Sequence, residues 1–241
     1  MVQPRPFNDS TPLTIDTERS RTKSRDEAAG LKRKLKLIYH KALSCLGPQH
    51  WWPGDSPFEV MVGAILTQNT NWFNVEKAIK NLKDHNLLNY KRLYNLSDGK
   101  LAKLIRSAGY YNIKAKRLKN FLKFFSERCQ GDIKRMSLAG TEALREDLLK
   151  VNGIGPETAD SILLYALNKP VFVVDAYTKR IFFRHGLIKE NAAYEEIQDL
   201  FMQFLRKDVE LFNEYHALLV RIGKDFCLKH KPRCRLCPLE E

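Results

Sequence analysis

The stretch V-N-G-I-G-P-E-T-A-D, residues 151–160, decides the reading of this chain, together with V-F-V-V-D-A-Y at 171–177. Gly153 and Gly155 can take the positive φ values that a tight hairpin between two helices needs. Pro156 stands where a helix should begin, at a position whose amide has no intrahelical partner in any case. Leu148, Leu149 and Val151 close one amphipathic pattern, and Ala159, Ile162, Leu163 and Ala166 open the next. The free N–H groups of such a hairpin and helix start can hold a phosphate. A G-x-G between helices is often no more than a turn, so its company has to decide. About one helix later comes Asp175, a lone acid in an apolar run.

The composition points the same way. The 241 residues suffice for one large domain or two small ones. A net charge of +13 favours a polyanionic partner, a bias that basic ribosomal and membrane-surface proteins share. No apolar run reaches the roughly 18 residues of a membrane span, so no membrane partner is expected. The N-terminus lacks the apolar core of a signal peptide. Five cysteines without such a signal fit a reducing compartment, where metal binding is commoner than disulfides.

Residues 1–28 are polar, basic and aperiodic, and are expected to be a disordered tail. An amphipathic helix is predicted from Ala29 to about Leu46, with Leu31, Leu35, Ile38, Tyr39 and Leu43 near one face. Residues 47–57, G-P-Q-H-W-W-P-G-D-S-P, form a loop. From Phe58 onward apolar residues recur mostly at helical spacing. Val171–Val174 could be a strand, but four residues beside Pro170 read better as an extended connector. With no alternating strands and no internal repeat, the fold class is all-α, with roughly ten helices.

Residues 100–123 carry Lys100, Lys103, Arg106, Lys114, Lys116, Arg117, Lys119 and Lys123 and no acid. The centre, S-A-G-Y-Y-N-I-K-A-K-R, reads as a helix end at Gly109, a turn and a basic helix. Most Lys-rich helices merely present a solvated face. Eight cations without a balancing acid point instead to phosphate contacts.

These segments together resemble the helix-hairpin-helix (HhH-GPD) DNA glycosylase superfamily, to which endonuclease III belongs. The pattern G-I-G-x-x-T-A-D followed by V-V-D carries the resemblance, and three further segments join it in collinear order. A-I-L-T-Q-N-T at 64–70 resembles the family's L-S-x-Q motif, A-G-Y-Y-N-I-K-A at 108–115 its G-x-Y-N-x-K-A turn, and Cys227, Cys234 and Cys237 its iron–sulfur loop. The match spans about residues 58–241. Members with lyase activity carry a Lys two residues after the second hairpin glycine, whose amine forms a Schiff base with sugar C1′. Here Glu157 stands there, and a carboxylate cannot form an imine. Glu157, W-W-P and L-T-Q-N-T are similar to the 3-methyladenine DNA glycosylase III branch, whose members are monofunctional. The resemblance implies a base-excision enzyme acting on a damaged base in double-stranded DNA, working as a monomer in the cytoplasm, associated with the nucleoid.

It also implies roles for single residues. Breaking an N-glycosidic bond builds positive charge on the sugar, which a carboxylate near C1′ stabilises. Asp175 matches the family's catalytic Asp, although D-A-Y-T-K-R could equally be a helix start that Asp175 caps. Asp160 is a weaker competitor. The target base has to leave the duplex. Gln68 matches the residue that fills the gap, and Tyr110 the wedge on the opposite loop, unless Tyr110 is simply core. Gly153, Ile154, Gly155 and Thr158 belong to the DNA-binding hairpin, and Lys114 and Lys116 to the basic contacts. Trp51, Trp52 and Trp72 flank the expected base pocket, where electron-rich faces would hold a cationic alkylated purine. The alternative is that Trp51 and Trp52 only pack their loop. Lys224 completes the pocket set.

Cys227-x6-Cys234-x2-Cys237 matches three ligands of the family's [4Fe–4S] cluster. The fourth normally falls six positions after the third, past Glu241, where this chain stops. Cys45 and Cys129 are distant substitutes. A three-Cys cluster, a zinc site that adds His230, and a basic loop without metal all stay open. The expected architecture is two helical lobes, residues 58–169 ending in the hairpin, and residues 29–57 with 170–241. Two other functions stay open as well: an endonuclease III-like glycosylase/lyase for oxidised or mismatched bases, and a non-catalytic iron–sulfur DNA-binding protein.

Overall fold

A computed structural model describes residues 14–51 and 54–240, with side chains from residue 25 onward. Among these residues every regular element is helical, in agreement with the expected fold class. Helix α1 runs Thr14–Leu46, which corrects the expected disordered tail from Thr14 onward. Residues 1–13 of that tail lie outside the described residues. Leu35, Ile38 and Ala42 bury one face of α1, and extending a helix that is already nucleated costs far less than starting one. The Arg-, Lys- and Glu-containing segment before that face can therefore continue it, since these residues are good helix formers.

Helix α2 (Pro57–Leu66) starts with Pro57 behind the N-cap Ser56, whose hydroxyl accepts the Glu59 N–H at 3.2 Å. It is apolar nearly all round and correspondingly buried, with Met61, Val62, Ile65 and Leu66 sealed. Around it pack α3 (Trp72–Asp84), α6 (Tyr111–Cys129), α9 (Pro156–Ser161) and a π-helical turn at Ile162–Ala166. The short helices α4 (Tyr90–Asn95) and α5 (Asp98–Leu104) lie on α6, as does α7 (Ile133–Leu138). Helix α8 (Thr141–Leu149) meets α9 across the hairpin.

Helices α10 (Ala176–Arg184) and α12 (Val209–Asp225) pack along each other. Gly223 permits their close approach, because a Cβ there would lie 2.3 Å from Cδ1 of Tyr177. Helix α1 packs against both α12 and α11 (Tyr194–Phe204). The core here is aromatic: Phe172 stacks on Phe201 with ring centroids 3.5 Å apart, and Tyr215 meets both edge-on. Val171–Val174 is the extended connector and has no strand partner. Val171 N–H donates to the Lys169 carbonyl at 2.8 Å, and side chains serve two of the other amides, with Phe172 N–H donating to Met202 Sδ at 3.4 Å and Val174 N–H to the Tyr194 hydroxyl at 3.3 Å.

Candidate active site

Gly153, in the hairpin between α8 and α9, has φ +96°, and a Cβ there would lie 2.2 Å from Cγ of Arg117. Both backbone and space therefore demand glycine. Gly155 differs from expectation: its φ of −96° and ψ of 177° are extended, as an N-cap requires, and any residue could adopt them. Pro156 is the first residue of α9, as its position in sequence predicts.

Asp175 is the N-cap of α10, and its Oδ1 accepts the Thr178 N–H at 2.7 Å. Capping leaves the second oxygen free, and Oδ2 lies 3.6 Å from Nε2 of His216. Burial pushes the Asp175 carboxyl up, but His216 and Thr178 outweigh it and hold the group below the usual carboxylate range. Glu157 opens onto the same space. The protein closing around it, followed by the charge of Asp175, pushes its carboxyl up to about 7 although the side chain still reaches solvent.

Asp175 and Glu157 share a cleft of about 790 Å³, walled also by Trp51, Trp72, Gln68 and Lys224. That volume lies within the range of small-ligand sites. Gly153, Ile154, Gly155 and Thr158 border it from the hairpin side. Residues 62–207, which include this hairpin and Asp175, match the HhH-GPD superfamily of base excision DNA repair proteins. The chain belongs to that superfamily. It is a DNA glycosylase of base excision repair, and its partner is DNA.

A protein of Methanocaldococcus jannaschii assigned by name to the DNA repair glycosylases is 52% identical over 206 residues, 85% of this chain and 93% of that one. The H. pylori 3-methyladenine DNA glycosylase (MagIII), solved with 1,N6-ethenoadenine, is 32% identical with a TM-score of 0.69, covering 80% of this chain and 97% of that one. A trapped endonuclease III–DNA covalent intermediate, 21% identical, shares the fold with a TM-score of 0.74 over 86% of this chain and 93% of that one.

In this HhH-GPD glycosylase the remaining expected residues fall in different places. Trp51 stacks on the His216 ring with centroids 5.5 Å apart and meets Tyr165 edge-on at 5.4 Å. Trp72 donates its indole N–H to Glu76 at 2.8 Å. Trp52 lies outside the described residues. Gln68 is folded back, donating to the Gly153 carbonyl at 2.9 Å and accepting from Arg117 at 2.6 Å. Tyr110 is 69% exposed, so it is not core, and its φ of +47° caps α6. Lys116 is exposed on α6.

Lys114 corrects the reading of the basic stretch. It is 1% exposed and donates to the carbonyls of Leu66 at 2.8 Å and Ala108 at 2.7 Å, so it is not available to a phosphate. Burial, then the charge of Arg117, lowers its amine to about 8. Lys119 is likewise spent on carbonyls of the α4 end, Leu96 at 2.7 Å among them. Asp160, the competitor of Asp175, is fully buried, clasped by Arg145 at 2.7 and 3.1 Å and by Tyr194 and Gln198 at 2.8 Å each. Its role is to tie α8, α9 and α11 together.

The cysteine loop lies past α12. Among the described residues no three His, Cys, Asp or Glu side chains are gathered to hold a metal ion. Burial raises the Cys237 thiol, and the neighbouring Cys227 and Cys234 add to the rise against a backbone hydrogen bond at Leu239 that lowers it. The loop as arranged gathers no such set, and the chemistry below is derived from the cleft alone. Two arginines of α10 hold the loop: Arg180 donates to the Cys227 carbonyl at 2.8 Å, and Arg184 to the Leu228 and Lys229 carbonyls at 2.7 and 2.9 Å.

Sequence reading missed Tyr165 and His216, and counted Arg117 only among the cations of the basic stretch. A signal existed for two of them. Lys224, Val220 and His216 are spaced by four on α12 and all line the cleft, as do Glu157, Ser161 and Tyr165.

Proposed function

We propose that this glycosylase is monofunctional and acts on an alkylated purine such as 3-methyladenine, releasing the base and leaving the strand unbroken. The observation that carries the reading is Glu157. It faces the cleft beside Asp175, at the position where the lyases this chain resembles have their amine. The relative bound to 1,N6-ethenoadenine agrees with a pocket for modified purines.

The C1′–N bond breaks with its electron pair leaving on the base, and positive charge develops on the deoxyribose. An N-alkylated purine already carries a positive charge, which that pair neutralises, so no acid has to protonate the leaving group. Ionised Asp175 stabilises the sugar cation. Water then adds at C1′ and gives up its proton to Asp175 or to solvent. Trp51 and Trp72 offer electron-rich faces to a cationic ring. Gly153, Ile154, Gly155 and Thr158 are assigned to the DNA backbone, Lys116 to a phosphate, and Gln68 and Tyr110 to the gap left by the base. The lobes meeting at the cleft are taken as residues 58–169 and residues 29–57 with 170–241.

A panel of duplexes with single lesions, scored for released base and for strand cleavage before and after alkali, tests the proposal. Release of methylated purines with nicking only after alkali is expected, and Asp175→Asn should abolish release. One observation favours a second reading, a glycosylase/lyase: Lys224 lines the cleft. A covalent DNA adduct trapped by borohydride, absent in Lys224→Gln, would establish that reading in place of the first.

A further inference from the structure

His216 is a buried histidine that the reaction as written does not use. Its ring is 4% exposed, and Nε2 has no hydrogen-bond partner. An unpartnered buried nitrogen is unfavourable and unusual enough to need a reason. What it faces is Oδ2 of Asp175, at 3.6 Å. That is too long for a hydrogen bond, but catalytic contacts in free enzymes are often long and tighten in the complex.

The far side of the ring is fixed. Nδ1 lies 2.5 Å from the Tyr165 hydroxyl. Burial, then the charges of Asp175 and Glu157, keeps that phenol protonated, so it has a proton to donate to Nδ1 in the tautomer assigned here. A neutral ring then carries its own proton on Nε2, toward the carboxylate. Trp51 lies on the same ring, tilted by 27°, and also walls the cleft. Trp51 is thus stacked on the imidazole, whose Nε2 faces the carboxylate.

We propose that His216, oriented by Tyr165 and backed by Trp51, is a positioning residue that closes onto Oδ2 of Asp175 when a flipped base fills the cleft, keeping the carboxylate ionised and aimed at C1′. The inference rests on the reading of Asp175 as the group acting at C1′. The other titratable groups around Asp175 are Glu157 on α9, Tyr165 in the π-helical turn, and Lys224, which lines the same cleft from α12.

The test is the pH dependence of single-turnover base release from chemically methylated duplex DNA, for the native enzyme and for His216→Ala, His216→Gln, Tyr165→Phe and Asp175→Asn. His216→Ala should slow release about a hundredfold at neutral pH, as a misaligned catalytic group does, with KM unchanged. Its acidic limb should move up by about one pH unit, because the carboxylate has lost a hydrogen-bond donor. His216→Gln keeps an N–H within reach of Oδ2 and should recover most of the rate. Tyr165→Phe should fall between them. A native acidic limb in His216→Ala overturns the proposal, as does a Gln variant as slow as the Ala variant. If His216→Ala does not fold, Gln and Phe variants with native rates and limbs overturn it too. Asp175→Asn separates the two ideas. If it is inactive while the His216 variants behave as native, only the role of His216 fails. If it is fully active, the assignment of Asp175 fails and takes the inference with it.

Discussion

The Gln68 amide donates to the Gly153 carbonyl at 2.9 Å and to the Thr158 hydroxyl at 3.0 Å, so the residue proposed to fill the DNA stack is tied to the hairpin proposed to hold the DNA. Entering the stack means exchanging those bonds, and that to Arg117, for bonds to an orphaned base. Gln68→Ala should therefore affect two properties. It strands Arg117 and Thr158, costing about 2 kcal/mol, or roughly 4–8 °C in melting temperature for a chain of this size. Tight binding to an abasic duplex should weaken as well. Native abasic-site affinity in Gln68→Ala, measured by fluorescence anisotropy, would rule out the gap-filling role.

Glu157 makes stability depend on pH. Its folded carboxyl is raised from 4.5 to about 7, so the folded state binds the proton more tightly than the unfolded chain. This contribution is complete below pH 4.5 and is lost as pH rises through about 7. Glu157→Gln should lack the loss and melt higher than the native enzyme at pH 8, while the two converge near pH 4. Thermal unfolding across that range measures the difference.

The tryptophans should set the preference for charge. Trp51→Leu and Trp72→Leu each remove a face for the cationic base, a contribution of about 0.5–2 kcal/mol. Discrimination between methylated and neutral purines should fall by roughly 3- to 30-fold in kcat/KM. Equal losses on both kinds of base would mean that the rings only shape the pocket.

Lys114 fastens two loops that sequence alone does not connect. Leu66 ends α2 just before Gln68, and Ala108 precedes Tyr110, so one buried amine joins the loops assigned to gap filling and wedging. Lys114→Met leaves two carbonyls without that donor and should cost about 3 kcal/mol. The folded amine sits at about 8 against an ordinary 10.5, so the unfolded chain holds its proton more tightly. Native stability should gain from this group as pH rises from about 8 to 10.5, and the Met variant should lack that gain. Denaturant titrations at pH 7 and pH 10 test both statements.

What could be read in the sequence was whatever short spacing determines. The hairpin, the proline opening α9, the extended connector and the cap at Asp175 are all local patterns. Gly155 was misjudged because a G-x-G cannot tell which glycine bears the positive φ. Lys114 was misjudged because a lysine in a basic run looks solvated until the carbonyls that enclose it are known, and these come from residues 48 and 6 positions away. His216 was missed because one histidine in an apolar helical stripe is usually core; only the fold sets it against Asp175. The start of α1 is not legible in the sequence because a polar, aperiodic stretch reads as disorder.

The π-helical turn at Ile162–Ala166 has a consequence for insertions and deletions. Along a regular α-helix, eight residues overshoot two turns by about 80°, so the direction of Tyr165 relative to Glu157 depends on how the turn between them is wound. A surplus residue in a π-turn retards the winding past it by about 100°, so this turn sets part of that direction. Deleting a single residue between Ile162 and Ala166 would therefore rephase the helix and separate Tyr165 from His216 without altering either side chain. In this stretch the length of the chain, as much as its chemistry, is under constraint.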